Sequence, residues 1–165
     1  MAPAKRPAPA ESRATRWLSG EEEATWRAFA ALIVKLPWVL ECQLQRDSEL
    51  SFIEYYTLAR LSEDPQHTQR MSVLAELTDA SLSRLSHLVK RLEARGYVRR
   101  EPDPDDGRFT NAIMTKAGYA KLVASAPGHV EAVRDLVIDV LSPAELRRLR
   151  DMAQRMLTQV EGGSR

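Results

Sequence analysis

The stretch SLSRLSHLVKRLEARGYVRREPDPDDGRF, residues 81–109, decides the fold because it joins a strongly patterned helix to a turn signal. With about 100° between successive residues, the apolar side chains fall on one face of a helix that is capped by Ser81 and ends at Gly96. That face consists of Leu82, Leu85, Leu88, Val89 and Leu92. The opposite face is thereby fixed, and it carries Ser83, His87, Lys90 and Ala94, flanked by Arg84, Ser86 and Arg91.

Positive charge is concentrated on this stretch. The 165 residues include 24 Lys and Arg against 23 Asp and Glu, so the net charge is only +1. From Ser81 to Arg100, by contrast, six basic residues stand against one acid, Glu93. Hydroxyl and imidazole groups suit base edges and cations suit phosphates, so the pattern favours a helix that enters the major groove of DNA. The alternative is a solvated helix face whose last-turn cations match the helix dipole.

The neighbouring segments predict a winged helix. Residues 71–77 form a short helix and residues 78–80 a turn, so the patterned helix completes a helix-turn-helix. After it come two extended runs separated by Asp106-Gly107, which is a strong hairpin signal. Thr115 then caps a helix that starts near Lys116. A helix-turn-helix followed directly by a hairpin is a winged helix.

The acidic loop of the hairpin ends in Arg108. Asp106 and Arg108 lie on either side of Gly107, where the carboxylate can orient the guanidinium by charge-assisted hydrogen bonds. An oriented arginine suits the narrow, negative minor groove of DNA. Asp103 and Asp105 are expected to favour the turn.

Long apolar-faced helices lie at both ends of the chain. Capping boxes, in which a Ser and a Glu three residues later satisfy each other's backbone N–H groups, predict helix starts at Ser19, Ser51 and Ser142. The first helix extends to about Arg46, with a kink expected at Pro37, and the second to about Ser62. The apolar stripes of the end helices favour packing of the two ends together and against a second copy, and an ordinary monomeric core is the alternative.

Composition limits the remaining possibilities. The single cysteine, Cys42, excludes an internal disulfide and fits a reducing compartment. No apolar run of about 18 residues is present and the Ala/Pro-rich start lacks the apolar core of a signal peptide, so we expect a cytoplasmic protein with no membrane contact and a disordered basic arm over residues 1–18. No phosphate-binding glycine loop or metal motif is present, so we expect no enzyme activity, no cofactor and no metal.

The order of these elements resembles the multiple-antibiotic-resistance regulator (MarR) family of bacterial transcription factors. The resemblance spans roughly Trp17 to Val160. It is carried by the recognition helix, the Leu-Glu-x-x-Gly turn, the basic strand, the Pro-x-Pro-x-Asp-x-Arg wing and a Leu-Thr-x-x-Gly exit. The exit here begins with Met114 in place of the leucine.

The resemblance implies a role for individual residues in binding double-stranded DNA. Ser83, Ser86 and His87 would face bases or nearby phosphates, Arg84 and Lys90 would contact phosphates, and Arg108 would enter the minor groove from the wing tip. Ser81, Arg91, Asp106 and Gly107 complete the expected DNA-binding set. The family more often has arginine at the position of His87, so the resemblance leaves the base preference open here, and a histidine that titrates near neutrality would make binding more pH-sensitive.

The resemblance also implies a homodimer on a pseudo-palindromic operator, built from the N- and C-terminal helices. Many relatives are repressors released by a small aromatic or phenolic effector. Candidates to line such a pocket are Trp38, Phe52, Tyr55 and Tyr56, although ordinary core packing is the favoured interpretation for any one of them. Some relatives sense oxidants through a cysteine, but Cys42, on the apolar side of the first helix, is expected to be a buried structural thiol.

The sequence therefore predicts a mainly α (α+β) winged helix-turn-helix protein, a ligand-responsive repressor located at the nucleoid. Its expected parts are the arm at 1–18, a dimerisation helix at 19–47, the DNA-binding domain at 51–115 and C-terminal dimerisation helices at 116–161. Two alternatives stay open: a helical protein-interaction adaptor that does not bind DNA, and a redox-sensing regulator acting through Cys42.

Overall fold

The computed structural model describes residues 15–163, so most of the predicted arm at 1–18 lies outside the described residues. Six α-helices and three strands are formed in the described part of the chain. The helices are α1 Gly20–Ser48, α2 Phe52–Ser62, α3 Met71–Leu77, α4 Leu82–Ala94, α5 Lys116–Val133 and α6 Pro143–Gly163, with a π-helical turn over Arg134–Ile138. The strands are β1 Thr68–Arg70, β2 Val98–Pro102 and β3 Thr110–Met114.

The three predicted capping boxes are formed, and they set the starts of α1, α2 and α6. At α2 the backbone N–H of Ser51 donates to Glu54 Oε2 (3.0 Å) and that of Glu54 donates to Ser51 Oγ (3.2 Å). The boxes at Ser19 and Ser142 have the same reciprocal pattern. The helix boundaries follow from these local hydrogen bonds because each box satisfies N–H groups that have no partner within the helix.

The chain divides into two compact units, Met1–Val34 and Lys35–Arg165. The described part of the first unit is the segment from residue 15 and the first half of α1. Its apolar side chains are largely exposed, with Trp17 at 84% and Trp26 at 53% of full exposure. These side chains are therefore not buried by the described residues of the single chain.

The hydrophobic core of the second unit lies between α2, α3, α4 and the sheet. Leu58, Leu74, Leu85 and Leu92 are fully buried in it. The predicted apolar face of α4 is correct at Leu85, Leu88, Val89 and Leu92, which are no more than 4% exposed. Leu82 is the exception, since 56% of it is exposed. It stands at the first position of the helix, directly after the cap Ser81.

The sheet has the order β1-β3-β2 and is antiparallel throughout. Strands β2 and β3 form the predicted hairpin, and Val98 pairs with Met114 at its base. The loop between them is longer than a two-residue turn and is closed by the backbone bond from Asp103 N–H to Phe109 O (2.9 Å). Strand β1 was not predicted, because three residues carry too little alternation to be recognised.

The exit from the sheet into α5 depends on a glycine. A Cβ atom at Gly118 would lie 2.1 Å from the carbonyl oxygen of Tyr97, so no side chain fits there. Thr115 Oγ1 accepts from the Gly118 N–H (3.0 Å) and donates to the Gly96 carbonyl (2.6 Å). The Thr-x-x-Gly pair therefore both caps α5 and holds it against the turn that ends α4.

Two further expectations about α1 need correction. Cys42 is exposed rather than buried, because the side of α1 on which it lies is not covered within the single chain. By length and composition alone, α1 is also long and apolar enough to cross a membrane, which the sequence analysis did not expect. This is weak evidence of a membrane span, because a core helix of a soluble protein meets the same criteria. The helix runs without interruption through Pro37.

Candidate nucleic-acid interface

The outer face of α4 is a row of polar and basic side chains. Ser81 caps the helix by accepting from the Arg84 N–H (3.3 Å). Of the predicted contact residues on this helix, Ser81, Ser83, Arg84, His87, Lys90 and Arg91 are exposed and Ser86 is partly buried. The structure therefore places the predicted set on one accessible surface, as the helical spacing requires.

Arg91 forms an ion pair with a carboxylate of the chain. Its Nε donates to Glu54 Oε1 (3.2 Å), and Arg95 Nη1 lies 3.6 Å from Glu54 Oε2. Glu54 is 7% exposed, whereas Arg91 is 57% exposed. The first turn of α2 thus holds the last turn of α4 through one buried carboxylate, so Arg91 fixes the position of the helix whether or not it also contacts a ligand.

The wing tip has the geometry predicted for Asp106 and Arg108. Arg108 Nε and Nη2 donate to the two oxygens of Asp106, at 2.9 and 2.6 Å, and the Arg108 backbone N–H donates to Oδ1 (3.1 Å). This pairing holds the pKa of Asp106 below its usual range and raises that of Arg108. The Arg108 side chain is nevertheless 85% exposed. It is a charged group held in one orientation in solvent.

The base of the wing is built around Asp103, which the sequence analysis treated only as a turn former. Asp103 Oδ1 accepts the backbone N–H groups of Asp105 (3.0 Å) and Asp106 (3.2 Å), which shapes the loop. Its Oδ2 accepts from Arg70 Nε (2.8 Å), and Arg70 also stacks over the ring of Phe109 (4.8 Å). The hydrogen bond from Arg70 lowers the pKa of Asp103. Arg70, at the end of β1, therefore ties the wing to the start of α3.

Glu93, the one acid among residues 81–100, is engaged by the sheet. Its Oε2 accepts from Arg100 Nε (3.1 Å) and Nη2 (2.7 Å), and these contacts lower the pKa of Glu93. The pair joins α4 to β2. The Glu93 carboxylate is partly buried at this junction, and Arg100 balances its charge.

A groove of about 270 Å³ lies between the start of α4 and the wing. Cationic and apolar side chains both line this groove. Cations come from Arg70, Arg100 and Arg108, and an apolar surface comes from Leu82 and Phe109. Sequence reasoning missed Arg70 and Leu82 as members of this surface: Arg70 lies in the unpredicted strand, and Leu82 matched the period of the core face.

The candidate effector residues are only partly brought together. Phe52 stacks on Tyr56 (centroids 6.1 Å apart), and Tyr55 lies 4.5 Å from the ring of His129 on α5. Burial lowers the pKa of His129, and its Nδ1 has no hydrogen-bond partner among the described residues. Trp38 is 67% exposed and stacks on none of the described rings. Phe52, Tyr55 and Tyr56 are each partly buried.

Within residues 15–163 there is no cluster of three or more His, Cys, Asp and Glu side chains that could hold a metal ion. What the described surface presents is a polar helix face, an oriented arginine on a hairpin and a groove between them. A helix-turn-helix followed by such a hairpin defines the winged helix-turn-helix class of proteins.

Comparisons with known proteins place the chain more narrowly. The MarR family model matches residues 48–108. Over 88% of its length the chain is similar to a MarR family transcriptional regulator of Streptomyces coelicolor, Sco3205, solved in complex with DNA, with 40% identity, 91% of that chain covered and a TM-score of 0.85. The chain belongs to the MarR family of transcriptional regulators.

Two more relatives are informative. AbsC, a MarR family regulator of the same organism, is 36% identical over 90% of this chain and 99% of its own, with a TM-score of 0.86. The transcriptional repressor NicR of Pseudomonas putida is 33% identical over 81 residues, 49% of this chain. The chain spans half the length of that curated relative.

Proposed function

We propose that this chain is a sequence-specific DNA-binding regulator that binds a pseudo-palindromic operator as a homodimer and represses transcription in the cytoplasm. The observation that carries the proposal is the arrangement of Arg108, which Asp106 holds in one orientation at the exposed wing tip, on the same winged unit as the polar face of α4. The helix face would read the major groove and the arginine the adjacent minor groove.

The exposure and the hydrogen-bond partners of each α4 residue suggest its role in binding DNA. Ser83, Ser86 and His87 offer hydroxyl and imidazole groups to base edges, while Arg84 and Lys90 offer charge to phosphates. Arg91 would act mainly by positioning α4 through Glu54. The relatives give independent support: Sco3205 was solved with DNA and NicR is a repressor.

The homodimer is supported by two exposed apolar surfaces. The first half of α1 exposes Trp26, Leu32 and Ile33, each at 47% or more. Helix α6 has no buried residue, and it exposes Met152, Met156 and Leu157. A second copy would cover both surfaces, and two α4 helices about one turn of DNA apart would then read a two-fold symmetric site.

The proposal keeps a small aromatic or phenolic effector, bound near Phe52, Tyr55 and Tyr56. The support is the contact of Phe52 and Tyr55 with His129 of α5, whose Nδ1 has no hydrogen-bond partner among the described residues. Thermal-shift screening of phenolic acids tests this part by itself. Stabilisation of wild type that disappears in Tyr55→Ala supports the site, and no stabilisation by any member counts against it.

The DNA-binding proposal is tested by fluorescence anisotropy with the DNA upstream of the chain's own gene. Arg108→Ala and His87→Ala should each weaken binding by about 1–3 kcal/mol, the cost of a good contact in a groove. Arg46→Ala is the matched control, because Arg46 is also an exposed arginine paired with a carboxylate, that of Asp47 (2.7 Å). Binding by both wing and helix variants at the strength of wild type would reject the assigned site.

A helical adaptor that does not bind DNA would use the same apolar surfaces of α1 and α6. Salt separates the two functions. Contacts to several phosphates make log affinity fall steeply with log salt, whereas an apolar protein interface barely responds.

A further inference from the structure

Leu82 is the one member of the predicted apolar face of α4 that is not buried in the core. The other four are no more than 4% exposed, and Leu82 is 56% exposed. A single exposed leucine is ordinary on a protein surface. Its place is less ordinary, because it stands at the first position of the recognition helix, directly after the cap Ser81.

The surroundings of Leu82 point to a ligand with both charge and an apolar edge. It lines the groove between α4 and the wing together with Arg70, Arg100 and Arg108. Among the described residues, Arg70 donates to a carboxylate through Nε alone, and Arg100 and Arg108 donate to carboxylates through Nε and Nη2. The remaining donors suit phosphate oxygens, while the leucine offers no polar group at all.

DNA has one apolar group of this kind on its base edges, the C5-methyl group of thymine in the major groove. The first residues of a recognition helix are those that reach base edges. Ser86, one turn after Leu82 on the same side of α4, lines the same groove and can approach the adjacent base or phosphate.

We propose that Leu82 is a specificity residue whose side chain packs on the C5-methyl group of one thymine in each half-site. The inference rests on the proposed function and extends it, since it assigns a base preference to a residue outside the polar contact set. Arg70 and Arg100 hold the flanking backbone and Arg108 enters the adjacent minor groove, while the leucine selects thymine over the other bases.

The test is a chemical double-mutant cycle on DNA. Sites are first enriched from a random duplex library with the full-length wild-type chain, and each thymine of the enriched site is then replaced by uracil, which pairs identically and lacks only the methyl group. At one thymine per half-site, uracil should weaken wild-type binding about fourfold, the change that corresponds to about 0.8 kcal/mol for one buried methyl group.

The protein side of the cycle uses three variants. Leu82→Ala should bind more weakly than wild type and lose its sensitivity to uracil at that position. Leu82→Met should keep most of the sensitivity, because methionine conserves the apolar volume. Leu77→Ala is the control: Leu77 is an exposed leucine (39%) on α3 that does not line the groove.

The outcomes separate the inference from the function on which it rests. The enriched sequence can have an affinity that does not depend on any thymine methyl group, or that depends on one equally in wild type and Leu82→Ala. Either result overturns the role of Leu82 and leaves the proposed regulator function intact. No enrichment of any sequence overturns the proposed function and the role of Leu82 with it.

Discussion

Asp106 shows how a negative charge can favour contact with a polyanion. By Coulomb attraction alone its removal would make the wing more attractive to DNA. Its two oxygens, however, hold Arg108 through Nε and Nη2, so the side chain has already lost the freedom it would otherwise lose on entering a groove. Orientation and charge therefore act in opposite directions at this residue.

We expect orientation to dominate. Asp106→Ala should weaken operator binding severalfold, on the order of 1 kcal/mol, although it raises the net charge of the wing. Fluorescence anisotropy titration of the variant with operator DNA measures this loss of affinity. Asp47→Ala is the control, because it also removes a carboxylate from beside an exposed arginine, Arg46, without touching the wing. A gain of affinity in Asp106→Ala equal to that in the control would contradict the orienting role.

Asp103 gives the wing a dependence on pH. Because Arg70 lowers the pKa of Asp103 in the folded chain, the carboxylate stabilises the wing at pH values above its ordinary pKa of about 3.9. That stabilisation is lost as the pH falls through the lowered folded value. Backbone NMR signals of Asp105 and Asp106, whose N–H groups bond to Asp103, should therefore move together on acidification below about pH 4. The same shift in Asp103→Asn would show that another group is responsible.

At the scale of single elements, local signals in the sequence were sufficient for most boundaries. Capping boxes, the Asp-Gly turn and the period of α4 act within a few residues, so they predicted the helix starts and the hairpin. Contacts that join distant residues were not predictable in this way. The pairing of Arg91 with Glu54 spans 37 positions and that of Arg70 with Asp103 spans 33, and no periodicity encodes them.

The same reason explains the errors in the candidate site. Leu82 fits the helical period but is largely exposed, and Cys42 lies on a face that the described residues of the chain leave exposed. Period reports which side of a helix a residue is on, and the fold decides whether that side is buried. The wing tip was predictable because Asp106 and Arg108 interact across two residues.

Glu54 should be the main link between α2 and α4. Glu54→Ala removes the capping box of α2 and both arginine contacts, so the free energy of unfolding should fall by about 2 kcal/mol in chemical denaturation. The buried position of Glu54 justifies a larger effect than that of a surface pair. Glu63→Ala, at the C-cap of the same helix, is the comparison: Glu63 is 61% exposed and paired with Arg60, and its loss should cost about 0.5 kcal/mol or less. Equal losses in the two variants would remove the special role of Glu54.

At the scale of the whole molecule, the exposed apolar helices are the feature that a single chain does not explain. Met156 and Leu157 are 42% and 57% exposed on α6. Exposed apolar surfaces of this kind mark protein–protein or membrane interaction sites. Two copies joined through them would also place two wings on one duplex.

We expect wild type to sediment as a dimer at micromolar concentration and Leu157→Glu to shift toward the monomer, because a buried unpaired carboxylate is costly in an apolar interface. Gln154→Glu, one turn earlier at an exposed position, adds the same charge away from the apolar stripe and should stay dimeric. A wild-type monomer at these concentrations would contradict the dimer.

The most direct measurement of the central claim is a salt-dependent titration of wild type with the DNA upstream of its own gene and with a shuffled duplex of the same composition. A dimeric winged-helix regulator should prefer the natural sequence by at least about 10³-fold, and log affinity should fall steeply and linearly with log salt. Equal affinity for the two duplexes, or affinity that does not change with salt, would contradict it.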